Sequence, residues 1–107
     1  KSTKIMGTKS KLEVINKFDK YQVWWIDHIS HNTWKTINDA KKDKPAICFT
    51  EGYLLSKNRH CHNFFMSISE DEIGEEMIIY NKNIVKIKKI GTIEFTKEDF
   101  EFETYKD

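Results

Sequence analysis

Between Ala46 and Ser69 apolar and polar residues alternate with a period of two, interrupted once by glycine. Ile47, Phe49, Tyr53 and Leu55 fall on odd positions, and Cys48, Thr50 and Leu54 on even ones. Alternation rich in β-branched and aromatic residues is the signature of a half-buried strand. His62, Phe64, Met66 and Ile68 then share one face of a second arm, opposite Cys61, Asn63, Phe65, Ser67 and Ser69. The pattern predicts two long antiparallel strands joined at Lys57-Asn58-Arg59. Gly52, inside the first arm, predicts a bulge or bend, which lets a short antiparallel sheet curl toward closure.

Tyr21 to Ile29 predicts another strand. Tyr21, Val23 and Trp25 line one side and Gln22, Trp24, Ile26 and His28 the other, both substantially apolar. Leu12 to Lys20 is too short a pattern to separate strand from helical turn. From Ser30 to Lys44 the period changes. Trp34, Ile37 and Ala40 recur every third residue, Asn32 or Thr33 can cap, and Pro45 ends the segment. This predicts a short helix whose Trp34 covers one open end of the sheet.

After the central hairpin come an acidic turn, Ser69 to Gly74, and a short strand, Glu75 to Tyr80. A polar break at Asn81-Lys82-Asn83 follows, then a last strand with Ile84, Val85, Ile87 and Ile90 as core, lysines outside and Gly91 at its end. The expected fold is mainly β with one short helix: a small antiparallel SH3-like or Sm-like barrel of about five strands, with an added C-terminal edge segment. It divides as a basic extension over 1–20, a barrel over 21–91 and an acidic-aromatic extension over 92–107.

Composition narrows the function. The 107 residues predict one domain. Eighteen basic residues against 17 acidic leave a charge of +1, without the strong basic imprint of a general binder of long nucleic acid. Residues 1–11 carry four lysines and no acid, the composition of a solvated arm or of one that meets an acidic partner. The start lacks the apolar core of a signal peptide, and no apolar run approaches the ~20 residues of a membrane helix. The expectation is a cytoplasmic, reduced protein with no membrane contact.

Several residues invite chemistry. His60 and His62 flank Cys61 and point the same way on a strand, so they could chelate zinc with His28, His31 or Cys48. Paired cysteines at short spacing, the usual companions, are missing. A Cys61–His dyad is disfavoured because strand neighbours point to opposite faces. Cys48 and Cys61, on adjacent strands, could bridge only in an oxidising compartment. The acidic residues from Glu70 to Glu76 read as solvated, and four glycines form no phosphate loop. No catalytic set, cofactor or metal is therefore expected. Trp24 is core if the helix or tail covers it. Otherwise Trp24, with His28, His31, Arg59 and His60 around it and Lys86 and Lys88 on the basic strand, forms a stacking surface with a cationic rim.

The chain resembles short accessory proteins of phages and prophages that share the pattern V-x-W-x-D, a Trp-led helical segment with an Ala, T-x-G-[YW]-L, and I-P-x-x-x-I-x-x-I-x-x-[LI]. Val23, Trp25 and Asp27 match the first element; Trp34 and Ala40 the second; Thr50, Gly52, Tyr53 and Leu54 the third; Ile79, Ile84, Ile87 and Ile90 the last. Tyr80 stands where the pattern has proline. The resemblance spans about Tyr21 to Gly91. It implies a phage accessory setting and no catalytic residue. The expected function is a non-catalytic module that binds a host protein to interfere with a defence or regulatory system. The alternative is a binder of nucleotide or single-stranded nucleic acid, including an oligomeric nucleotide sponge. Strand edges offer a route to homo-oligomers.

Overall fold

The computed structural model describes residues 13–27 and 33–101. Among the described residues there are seven strands: β1 (Val14–Asp27), β2 (Ala46–Lys57), β3 (Cys61–Phe65), β4 (Ser67–Ser69), β5 (Glu72–Gly74), β6 (Met77–Tyr80) and β7 (Ile84–Thr96). Five of them form one antiparallel sheet in the order β6-β3-β2-β1-β7, and β4 and β5 form a separate two-stranded ribbon. Among the described residues no pairing joins β6 to β7, so the sheet is open rather than a closed barrel. The protein is mainly β with one short helix.

β1 is longer than the alternation from Tyr21 suggests. It starts at Val14 and pairs with β7 from Val14–Thr96 to Trp25–Ile84. Gly91, the expected end of the last strand, lies inside β7 opposite Lys20. The tail thus continues the strand to Thr96 and ends in a 3-10 turn over Lys97–Phe100. There the Thr96 amide donates to Asp99 Oδ2 at 2.8 Å. The acidic turn is also shorter than expected: Glu70 and Asp71 alone join β4 to β5, with Glu70 at φ 54°. Asn81–Asn83 forms a single 3-10 turn before β7.

The helix α1 is one turn, Ile37–Ala40, capped by Thr36 rather than by Asn32 or Thr33. Asp39 N donates to Thr36 Oγ1 at 3.2 Å. None of its residues is buried, and Trp34 is fully exposed. Trp34 therefore does not cover an end of the sheet. A single turn offers too little apolar area to hold a helix against a sheet.

The core lies on the inner face of the sheet. Val23, Phe64 and Ile79 are buried, with Tyr21, Trp25, Leu54, Met77 and Ile84 packed against them. The Trp25 indole Nε1–H donates to Thr50 Oγ1 at 2.9 Å, which satisfies the ring nitrogen inside the fold. Phe65 points the opposite way and is also fully buried. Its ring meets Phe18 edge-on at 4.8 Å and Tyr53 at 5.5 Å. β3 is therefore covered on both sides, although the face carrying Cys61, Asn63 and Ser67 reads as polar.

Gly52 acts through close approach. Its φ is not positive, and a Cβ there would lie 2.7 Å from Met66 Sδ and 3.0 Å from Phe65 O. The bare glycine lets the end of β3 fold tightly across β2.

Four register shifts bend the sheet. They leave Ile15, Leu55, Val85 and Ile90 as extra residues between paired neighbours. All four are exposed apolar side chains. A bulge residue has no cross-strand partner and interrupts the alternation. Val85 and Ile90 accordingly leave the core expected of the last strand, and Ile87 is also exposed.

Candidate binding surface

The outer face of β7, β1 and β2 carries an aromatic plaque. Register places Trp24 between Phe49 of β2 and Lys86 of β7, with Ile26 beside Ile47 and Gln22 between Glu51 and Lys88. The Trp24 and Phe49 rings meet at 62° with centroids 5.0 Å apart. Lys86 Nζ stands 4.6 Å from the Trp24 ring centroid, within cation–π range. Trp24 is half-buried under these two neighbours, whereas Ile47 is 64% and Phe49 52% exposed. Trp24 is thus part of a contact surface rather than an enclosed core residue. Neither Lys86 nor Lys88 makes an ion pair among the described residues.

A polar strip borders the plaque. Glu51 accepts a hydrogen bond from Gln22 Nε2 at 2.9 Å and pairs with Lys20 at 3.1 Å. The Gln22 amide first, and Lys20 next, hold the Glu51 carboxyl below its ordinary range. Glu51 in turn raises the Lys20 ammonium. Further along, the Thr92 hydroxyl and then Lys89 lower Asp19, fastening β1 to β7.

Arg59 and His60 lie elsewhere, at the β2–β3 turn. They line a cleft of about 280 Å³ with Tyr80, Asn81 and Lys82. Asn81 braces this corner. Its backbone amide donates to His60 O at 2.8 Å, its Nδ2 to Asn58 O at 3.0 Å, and its Oδ1 accepts from His62 Nδ1 at 2.6 Å. Asn58 Oδ1 accepts the amides of His60 and Cys61 at 2.7 and 2.9 Å. The cleft and the plaque lie near one another, because Lys82 and Lys86 are four residues apart and at most about 14 Å along an extended chain.

The residues expected to form one surface are therefore divided. Trp24, Lys86 and Lys88 come together, Arg59 and His60 occupy the neighbouring cleft, and His28 and His31 lie outside the described residues. Phe49 and Ile47 join the plaque because of cross-strand register, which periodicity within one strand does not reveal. Tyr80 and Lys82 join Arg59 because β6 pairs with β3, bringing Tyr80 opposite Cys61.

Among the described residues the histidines and thiols do not converge. His60 Nε2 accepts from Arg59 Nε at 3.1 Å, and His62 stacks on Phe64. Cys48 pairs with Trp25 and Cys61 with Tyr80, and both thiols are free. Among the described residues no three of His, Cys, Asp and Glu gather around one point. Nor is any helix among them long and apolar enough to cross a membrane. The described residues form an antiparallel β domain with an open aromatic face and a cationic cleft beside it. No family model, curated protein or solved structure matches the chain.

Proposed function

We propose that the chain is a non-catalytic binding module, a phage-type accessory protein that recognises a host protein through the face bearing Trp24, Phe49 and Ile47. The observation that carries this reading is the pair of exposed apolar side chains, Ile47 and Phe49, beside Trp24 on a sheet face bordered by Lys86 and Lys88, which make no ion pair among the described residues. Contiguous exposed apolar side chains ringed by polar groups are the usual composition of a recognition surface. The lysines favour a partner with an acidic margin, since complementary charge directs association. Interference with a host defence or regulatory protein in the cytoplasm is the role this reading assigns.

The finer fold reading is an opened SH3-like or Sm-like barrel. It is supported by the last strand lying beside the first and by the 3-10 turn that introduces it. β6 and β7 both end the described sheet, which gives copies of the chain two edges through which to associate.

The test is capture from nuclease-treated bacterial lysate by the wild-type chain and by Phe49→Glu. A discrete protein retained by the first and lost with the second, with unfolding curves showing both chains folded, is the expected result. Equal retention by both chains would overturn this reading.

A further inference from the structure

We infer that the cleft between the β2–β3 turn and the Asn81–Asn83 turn binds the phosphate and base of a nucleotide. The site goes beyond the protein-binding reading, because none of its lining residues belongs to the Trp24 plaque.

The first argument is charge. Among the described residues the cleft is lined by Arg59, His60, Tyr80, Asn81 and Lys82, with two cations and no carboxylate. Among the described residues neither Arg59 nor Lys82 makes an ion pair. Arg59 and Lys82 come from different turns, so a ligand between them is held from two sides. Two cations facing one concavity without a counter-charge repel each other, and an anion between them relieves that repulsion.

The second argument is donor geometry. Arginine can only donate, so His60 Nε2 is the acceptor in the 3.1 Å contact. The Arg59 Nε is thereby fixed, and its two terminal nitrogens remain as a planar pair of donors. That arrangement suits phosphate oxygens better than a point charge would. Lys82 supplies the second contact.

The third argument is the aromatic wall. Tyr80 is 57% exposed on an edge strand, and its ring lies 5.8 Å from Lys82 Nζ. A base can stack on such a ring for about 1–3 kcal/mol, with the lysine left near the phosphate. At about 280 Å³ the cleft is close to the lower limit of ligand pockets, about 300 Å³, so it suits one nucleotide rather than a dinucleotide.

The fourth argument is rigidity. Asn81 uses its backbone amide, its side-chain amide and its side-chain oxygen to tie both walls together. The walls are set before any ligand arrives, which reduces the entropy lost on binding.

The experiment is calorimetric titration of the full chain with adenosine monophosphate, adenosine, inorganic phosphate and a short 5′-phosphorylated single strand. Saturable binding of the monophosphate is expected, at least tenfold tighter than adenosine or phosphate alone. Arg59→Gln and Lys82→Gln should each weaken it tenfold or more, and Tyr80→Ala severalfold, whereas Phe49→Glu should leave it unchanged. All four positions are exposed, and unfolding curves of each variant establish that it folds. If the single strand binds at least as well as the monophosphate through the same residues, the ligand is a strand terminus; if not, it is the free nucleotide. Absence of saturable binding, equal affinity for inorganic phosphate, or indifference to both cation substitutions would overturn the inference.

Discussion

Lys86 stands over the ring of Trp24, its ammonium 4.6 Å from the centroid, and the two residues are cross-strand partners in the β1–β7 register. The ring is also held edge-on by Phe49. This pairing leaves Trp24 neither enclosed nor free. It is fixed in place by a cation on one side and an aromatic ring on the other, at the centre of the surface proposed for recognition.

Truncating that centre should separate binding from stability. Trp24→Ala removes one edge-to-face pair and one cation–π contact, each worth on the order of 1 kcal/mol, together with partly buried ring area. A loss of about 1–3 kcal/mol in urea unfolding is expected. Phe49→Glu loses the same ring pair and should cost about 1–2 kcal/mol, limited because the ring is already half in water.

The two faces of β3 should prove equally demanding. Phe64→Ala and Phe65→Ala each empty a fully buried aromatic site, although the side chains point opposite ways. Each should cost about 3–5 kcal/mol in denaturant unfolding. If the face of Phe65 were solvent-facing, Phe65→Ala would change stability little.

Gly52→Ala should destabilise by about 1–2 kcal/mol, because the added methyl must displace Met66 and press on the Phe65 carbonyl. Adding Met66→Ala should recover only part of that loss, as the carbonyl cannot be removed. Thermal unfolding of the single and double variants measures both effects.

Acid should weaken the fold at the strand-to-strand contacts of the sheet. The Asp19 and Glu51 carboxyls are both held below their ordinary range in the folded chain, by Thr92 and by Gln22 respectively as the largest causes. A carboxyl whose folded pKa is depressed stabilises the fold above its unfolded value, about 4, and the contribution is lost as pH falls through the folded value. Stability measured from pH 6 down to pH 2 should therefore decline, and Glu51→Gln combined with Asp19→Asn should flatten the decline. Both groups are solvent-exposed, so the effect is small.

Trp34→Ala should leave the unfolding midpoint within the error of measurement, because the side chain is fully exposed and α1 buries nothing. A cost above about 1 kcal/mol would mean that the tryptophan packs on the sheet in solution.

How far the chain could be read depended on how local each feature is. The central hairpin as far as Phe65, the Tyr21 strand, a short helix before Pro45 and the break at Asn81 were legible because each rests on the period or turn chemistry of a few consecutive residues, whereas the second arm does not run on to Ser69, since Ser67–Ser69 pairs with β5 in a separate ribbon. The division of the site residues was not legible, because Trp24 meets Phe49 and Lys86 only through registers set 25 and 62 residues away in the sequence.

Sequence by itself determined the predominance of β structure and the central hairpin as far as Phe65, whereas the need for a bare glycine at position 52 comes from Met66 and the Phe65 carbonyl lying across it. Only the tertiary structure decided which apolar residues are inside. Ile84 and Ile87 fall opposite Trp25 and Val23 despite an odd separation, because Val85 is an extra residue between them, yet only Ile84 packs into the core while Ile87 stays exposed. Ile15, Leu55 and Ile90 are displaced in the same way. The physical reason is that a bulge costs one ladder bond and reverses the alternation beyond it. Whether that cost is met depends on packing from partner strands, which alternation along one strand does not encode.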